Sequence, residues 1–221
     1  MITLSITLLR QTMAALRLLL VMTVLTGIMY PLAVYSVSRL PGLSSSAEGS
    51  VVYHDGRAVG LENLGLDLVD PAAGDDPTAD RYFHHRPSAA ASAAEGLGPG
   101  DPYASGGSNL AGDSPASTEL VHARAAAIAA REGVPVESVP PDAVTASASG
   151  LDPDISPAYA ELQAARVARV TGLPEQRVRD LVAEHTQGRE LGFLGGQTVN
   201  VLALNLAIAG LTSGEPAHGP G

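Results

Sequence analysis

The longest unbroken apolar run lies near the N-terminus. Leu18 to Val37 reads LLLVMTVLTGIMYPLAVYSV, 20 residues without a charge. A helix of that length covers about 30 Å, the thickness of a bilayer core. The run therefore predicts one membrane-spanning helix, with lipid around residues 18–37. Thr23, Thr26 and Ser36 can bond back to their own helix, and Gly27 admits a close neighbour. Pro31 is expected to kink the helix or loosen its last turns. Tyr30 and Tyr35 suit the far interface, where amphipathic rings collect. A cleaved signal peptide also has a basic start and an apolar run. This run is long, however, and no A-x-A pattern follows it, which favours a retained anchor. Arg10 and Arg17 precede the span and only Arg39 follows it closely. The positive-inside bias then puts the N-terminus in the cytoplasm and the chain beyond residue 38 outside.

The pattern after the anchor is shorter in period and more broken. Residues 39–49 read as a linker. Ser50–Gly60 has two short apolar runs around Asp55-Gly56, a hairpin signal. Residues 70–80 and 95–117, rich in Gly, Pro, Asp and Ser, predict loops. A helix is expected from about Glu119 to Glu132, capped by Ser117 or Thr118 and stopped by Gly133. A short strand is expected at Ala143–Ala146. The next helix starts with Ser156 as N-cap and Pro157 in its first turn, and ends near Gly172. Another runs from Pro174 to about His185. The apolar segment Val199–Leu211 is too short to span a membrane and fits a buried helix or a strand-helix element. The expected organisation is an anchor (1–38), a linker (39–49), one α+β domain (50–211) and a disordered tail (212–221). That places a single transmembrane helix ahead of one extracytoplasmic mixed α/β domain.

Composition narrows the chemistry. Hydrophobic residues make up 45% of the 221 residues but aromatics only 4%, so the core is built from small side chains. With no cysteine, disulfides and thiolate metal sites are excluded. Residues 39–221 hold all 23 acidic residues against eleven arginines, a net charge of −12. An acidic domain repels phosphate backbones, which argues against nucleic-acid binding.

Every basic residue is arginine. The phosphate-cradling loop G-x-x-x-x-G-K-[ST] needs a lysine, and so does the phosphorylated Asp-Lys step of a P-type pump. The chain is therefore not a conventional ATPase by itself. Leu194-Gly195-Gly196-Gln197 resembles the nucleotide-contacting signature of ABC transporters but lacks its serine, and reads better as a glycine turn. Gly106-Gly107-Ser108-Asn109-Leu110 is a loose match to a nucleophile elbow, with Leu110 where the second glycine belongs. His84-His85 is adjacent and cannot place both rings on one helix face. The acidic residues of 67–80 lack EF-hand spacing and read as a solvated acidic loop. No catalytic residue, metal ligand or directly bound cofactor is assigned on these grounds.

Three segments look specific together: Arg81-Tyr82-Phe83-His84-His85-Arg86-Pro87-Ser88-Ala89, Ser105-Gly106-Gly107-Ser108-Asn109-Leu110, and Val144 to Ser156 with Ser149-Gly150-Leu151-Asp152-Pro153 at its centre. Gln163, Arg166 and the C-terminal Asn200 and Asn205 follow, and Gly27-Ile28-Met29-Tyr30-Pro31-Leu32 closes the anchor. In this order they closely resemble the C subunit of Kdp-type potassium-transporting P-type ATPases, the KdpC family, over roughly residues 14–208. Departures stand at Leu66 and Leu68, where the family has a Gly-Gln step and a phenylalanine, and at Ala148 and Asp154 in the third motif.

The resemblance implies a non-catalytic accessory subunit of a high-affinity potassium uptake complex in the bacterial inner membrane. Its partners would be a channel-like potassium-binding subunit and a P-type subunit that uses ATP and magnesium. The role implied is to stabilise their assembly and to raise the apparent affinity for ATP or potassium. The motif residues then divide between contact with those partners and holding an irregular domain together. Gly106, Gly107 and Gly150 permit positive φ, Asn109 and Asp152 can bond nearby backbone, and Arg86 suits a carboxylate partner. The rival readings are a membrane-anchored hydrolase using Ser108 and a stand-alone extracytoplasmic binding module.

Overall fold

A computed structural model describes residues 2–212 except 92, 94 and 190. The expected tail lies outside the described residues apart from Thr212. The fold is mixed α/β, with one helix near the N-terminus apolar and long enough to cross a membrane. The chain divides into two units, Met1–Ser50 and Val51–Gly221.

The first unit is almost entirely helical. Helices α1 (Ile2–Val24) and α2 (Tyr30–Ser38) are joined without a break by a π turn, Leu25–Met29. The apolar span runs from Leu8 to Ser38, 31 residues with a mean hydropathy of 2.0 and none of its most apolar window buried. It is longer than the uncharged run alone indicated, because Arg10 and Arg17 sit within the helix. Pro31 does not end the helix. It has no N–H for the carbonyl four residues back, and the turn before it widens, with the Tyr30 N–H donating to the Leu25 carbonyl. Thr26 and Ser36 bond back to Met22 (2.7 Å) and Leu32 (2.8 Å). A short helix α3 (Ser44–Ala47) and an Arg39–Glu48 ion pair (2.5 Å) close the unit.

The second unit opens with the expected hairpin, β1 (Val51–His54) and β2 (Arg57–Leu61), turning at Asp55 (φ 50°) and Gly56 (φ 74°). Positive φ at both central residues is what a two-residue hairpin of the right twist requires. Helix α4 is longer than expected, Pro115–Glu132. Its cap is Ser114, whose hydroxyl accepts from the Ser117 N–H, and Pro115 occupies the first turn. Ser117 and Thr118, expected as caps, lie inside the helix.

The strand expected at Ala143–Ala146 is instead a one-turn helix α5 (Pro141–Val144). Pro141 presets its first turn and the Thr145 hydroxyl bonds back to the Pro141 carbonyl. Ala143 and Val144 are apolar because they are buried together, not because they alternate. Ser156 caps α6 (Pro157–Thr171) as expected, and Gly172 ends it in the left-handed region. Helix α7 (Glu175–Glu184) packs on α6. The last apolar segment is a strand-helix element, β5 (Thr198–Asn200) running into α8 (Val201–Thr212). Strand β5 is the middle of a small antiparallel sheet between β3 (Asp154–Ile155) and β4 (Thr186–Gln187).

The core lies between α4, α6, α7, α8 and this sheet. Its largest apolar members are Phe83, Ile128, Tyr159, Leu181 and Leu204, filled in by Ala160, Ala164, Val167, Val178 and Val199.

Candidate functional site

Residues 80–88 form neither helix nor strand, yet Phe83, His84, His85 and Pro87 are buried. Buried backbone without a ladder must find its hydrogen bonds elsewhere. Here they come from side chains far along the chain. The Phe83 N–H donates to Asn205 Oδ1 (2.7 Å), and Asn205 Nδ2 donates to the Phe83 carbonyl (3.0 Å). Gln163 does the same for His84, accepting its N–H (2.8 Å) and donating to its carbonyl (3.2 Å). Arg166 donates to the carbonyls of Asp80 (2.5 Å) and Tyr82 (3.0 Å). Tyr82 is half-buried.

The second half of the segment meets the other motifs. Arg86 Nη1 pairs with Asp152 Oδ2 at 3.0 Å, the carboxylate partner its position called for. The Pro87 carbonyl accepts the Ser147 N–H (2.8 Å), and the Ser88 hydroxyl donates to the Gly150 carbonyl (2.8 Å). The Ser149 carbonyl accepts both the Gly106 N–H (2.8 Å) and the Ser105 hydroxyl (3.0 Å). Gly150 sits at φ 75°, and a Cβ there would lie 3.0 Å from both the Gly106 carbonyl and the Ser88 hydroxyl. A Cβ on Gly107 would lie 3.1 Å from the Ala148 carbonyl. The Leu151 carbonyl accepts the Gly65 N–H, and the Pro153 carbonyl accepts the Val201 N–H. Asn200 links the Glu62 carbonyl (2.9 Å) to the start of α8, where its Oδ1 accepts from Ala203.

Not every motif residue joins this junction through its side chain. Ser108, Asn109 and Leu110 are exposed, with Asn109 in the left-handed region at φ 53°. Ser108 has no strand before it and no helix until Pro115, so it lacks the strand–turn–helix setting of a nucleophile elbow. Gly27, Tyr30 and Pro31 are exposed on the anchor helix. Gly195 turns at φ 74° in an exposed loop just before β5.

Behind the junction lies an ionic cluster that the sequence reading missed. The expectation of a solvated acidic loop at 67–80 is corrected. Only Asp75 and Asp76 are exposed, whereas Asp67, Asp70 and Asp80 bury their carboxylates. Asp80 accepts the Asp70 N–H (3.1 Å) and the Tyr82 N–H (2.8 Å). Asp70 holds the Arg81 guanidinium at 2.6 Å. Asp67 accepts the His85 N–H (2.9 Å) and faces His84 Nδ1 at 3.1 Å. Glu132, its side chain fully buried, bridges Arg131 (2.6 Å) and Arg166 (3.0 Å), and Arg131 also reaches the Tyr159 hydroxyl (2.9 Å).

Burial works to raise the Asp67 pKa, but His84 and His85 overcome it and hold this carboxyl well below the usual range. Burial lowers the pKa of His84 more than Asp67 raises it. The pair is an ionised carboxylate beside a neutral imidazole. Burial pushes the Tyr159 hydroxyl up, and it stays protonated. Among the described residues no group of three or more His, Asp or Glu side chains is placed to hold a metal ion.

Comparison with known proteins decides the family. The family model described as "K+-transporting ATPase, c chain" matches residues 12–210. The chain is 49% identical over 201 residues to the potassium-transporting ATPase KdpC subunit of Kineococcus radiotolerans, covering 91% of this chain and 94% of that one. It is 45% identical over 207 residues to the KdpC subunit of Polaromonas naphthalenivorans, covering 94% and 96%, and 48% identical over 199 residues to that of Sorangium cellulosum, covering 89% and 95%.

The chain belongs to the KdpC family.

Within this KdpC chain the motif order has a physical basis, because the segments bond one another across the domain. What sequence reasoning missed is the charged half of the junction. One signal was available. Glu132 is the last residue of α4, where the helix dipole disfavours a carboxylate, and it is paid for by the two guanidiniums around it. Sequence reasoning also passes over Gly65, which directly precedes the departure at Leu66. A Cβ there would fall 2.1 Å from the Asp152 carbonyl oxygen and 2.9 Å from the His85 ring, so the turn admits glycine alone.

Proposed function

We propose that this chain is the non-catalytic accessory subunit of a Kdp-type potassium-transporting ATPase. The observation that carries the reading is similarity to KdpC subunits over nearly the whole chain, with the junction residues in place. The absence of lysine supports a subunit that leaves ATP hydrolysis, with its magnesium, to a P-type partner. A channel-like subunit would complete the assembly.

The proposed layout is an anchor at 1–38, a linker at 39–49, an extracytoplasmic domain at 50–211 and a tail at 212–221. The arginine asymmetry across the span supports a cytoplasmic N-terminus, and the length and apolarity of the helix support insertion in the bacterial inner membrane. On that topology cytoplasmic ATP does not reach the domain, so any effect on apparent ATP affinity is indirect. The domain's net negative charge raises the local cation concentration outside the membrane. Of the acidic loop, only Asp75 and Asp76 are exposed enough to contribute. The junction residues hold the domain in shape, and the exposed Ser108, Asn109 and Leu110 are left for partner contact.

The test is affinity purification of the tagged full-length chain from its native membranes in a mild detergent. Recovery with a large channel-like protein and a P-type ATPase subunit is the expected result. Recovery of the chain alone, under conditions that keep other membrane complexes whole, would remove the proposal.

A further inference from the structure

A cavity of about 350 Å³ opens beside the ionic cluster. That is within the range of small-molecule sites. Its walls include Val69, Pro77, Leu97 and Ala127, and its polar lining includes Asp67, Asp80, His84 and Arg131, with Asp75 and Asp76 also on it.

His84 is the informative member. Its side chain is only 6% exposed, and Nδ1 faces the ionised Asp67 at 3.1 Å. A neutral ring beside that carboxylate carries its proton on Nδ1, leaving Nε2 as a lone-pair acceptor. Among the described residues Nε2 has no hydrogen-bond partner. The nearest carboxylate oxygen, Asp80 Oδ2, stands 3.8 Å away, and two acceptors cannot satisfy each other. Arg131 also lines the cavity and its charge acts on His84 and Asp67, but its Nε and Nη2 are engaged by Glu132 and the Tyr159 hydroxyl, and the carboxylates of the lining outnumber it.

The cavity thus offers hydrogen-bond acceptors and negative charge at one place and apolar wall at another. We propose that it binds a small organic cation whose ammonium group donates to His84 Nε2 and Asp80 while a short apolar tail lies against Val69, Leu97 and Ala127. An ammonium satisfies both acceptors at once, since each needs an N–H. An alkali ion is a poorer match, because the nitrogen acceptor and apolar walls do not replace its oxygen shell. An anion meets Asp67 and Asp80.

The experiment titrates n-butylammonium into the full-length chain in detergent, with histidine ring carbons labelled for NMR. The expected result is a saturable shift of the His84 ring signal with Kd on the order of 1 mM, as befits a ligand of five heavy atoms. Butyrate should give no saturable shift. Ala127→Phe fills the cavity from an exposed position on α4 and should weaken binding at least tenfold with the His84 resonance otherwise in place. If that variant does not fold, Asp75→Asn serves instead and should weaken binding about threefold at low salt. Absence of a saturable His84 shift, equal binding of butyrate, or full affinity in the variant would each overturn the assignment. Equal displacement of butylammonium by potassium ions would make this an inorganic-cation site and overturn it as well.

Discussion

Within the anchor helix the backbone pairs with itself four or five residues away, whereas the Phe83 and His84 backbone and the Asp80 and Tyr82 carbonyls take side-chain partners 79 to 122 residues away. Both regions face one demand, that buried or membrane-embedded backbone polar groups be paired. The anchor meets it with its own backbone, so no single side chain is essential, and even Pro31 is absorbed by a π turn. The buried segment meets it with Asn205, Gln163 and Arg166, each making two or more bonds that nothing nearby replaces. Sensitivity to single substitutions should therefore be concentrated in the segment and weak along the anchor.

The sharpest way to break that comparison is Arg166→Met. It removes the donor to the Asp80 and Tyr82 carbonyls and one of the two cations around the buried Glu132. Removing one partner of a buried ion pair costs about 3–5 kcal/mol. Chemical denaturation of the full-length chain in detergent should show that loss. A cost under about 1 kcal/mol would mean water or a local shift replaces the guanidinium, and the segment is no more dependent than the anchor.

Gly65→Ala comes next. Its Cβ would meet backbone rather than a flexible side chain, so the Leu64–Leu66 turn must move away from Asp152. Overpacking of this kind costs about 1–3 kcal/mol. The same denaturation series reads it, and Gly106→Ala is the control, since nothing lies within 4 Å of a Cβ there.

A smaller effect should appear with pH. The His84 pKa is lowered in the fold from 6.5, mainly by burial. Below pH 6.5 the unfolded chain therefore binds more protons at this ring than the folded one, and stability falls as pH falls. Asp67 works in the same direction lower down, since its carboxyl is also held below its ordinary value and must stay ionised. Thermal unfolding midpoints should decline from about pH 6.5 downward. His84→Gln should flatten the upper part of that decline. A midpoint unchanged between pH 7 and 5 would show that His84 is not held neutral by its surroundings.

These effects also mark what was legible in the sequence. The anchor, the Asp55-Gly56 hairpin, the Ser156 cap and the strand-helix end follow from local rules, and a local rule can be read from neighbouring residues. Tyr82 through Ser88, Gln163, Arg166 and Asn205 were recognised as a set by their order, but no periodicity announces that they bond one another. The buried carboxylates of Asp67, Asp70 and Asp80 were read as a solvated loop because a carboxylate is usually outside. Their partners, Arg81 apart, are backbone groups and histidines that the fold brings up. The strand expected at Ala143–Ala146 failed for a related reason, since two adjacent buried residues say nothing of period.

The smallest effect tests the anchor itself. Gly27 is exposed on its helix, and a Cβ there would come no closer than 3.9 Å to the Thr23 methyl. Gly27→Leu therefore adds no clash within the chain, and the helix former replaces the poorest one short of proline. Any loss must come from outside, where a neighbouring membrane helix needs the small residue to approach. On the proposed assembly, Gly27→Leu should lower co-purification of the partner subunits about fivefold, equivalent to roughly 1 kcal/mol. The domain's own unfolding should stay unchanged. Full recovery of the partners would place the contact face elsewhere on the helix, with Thr23, Thr26 and Ala33 the residues to vary next. Loss of domain stability together with recovery would instead mean that the anchor and the domain fold as one, and the contrast between a locally paired helix and a remotely paired segment would no longer separate their functions.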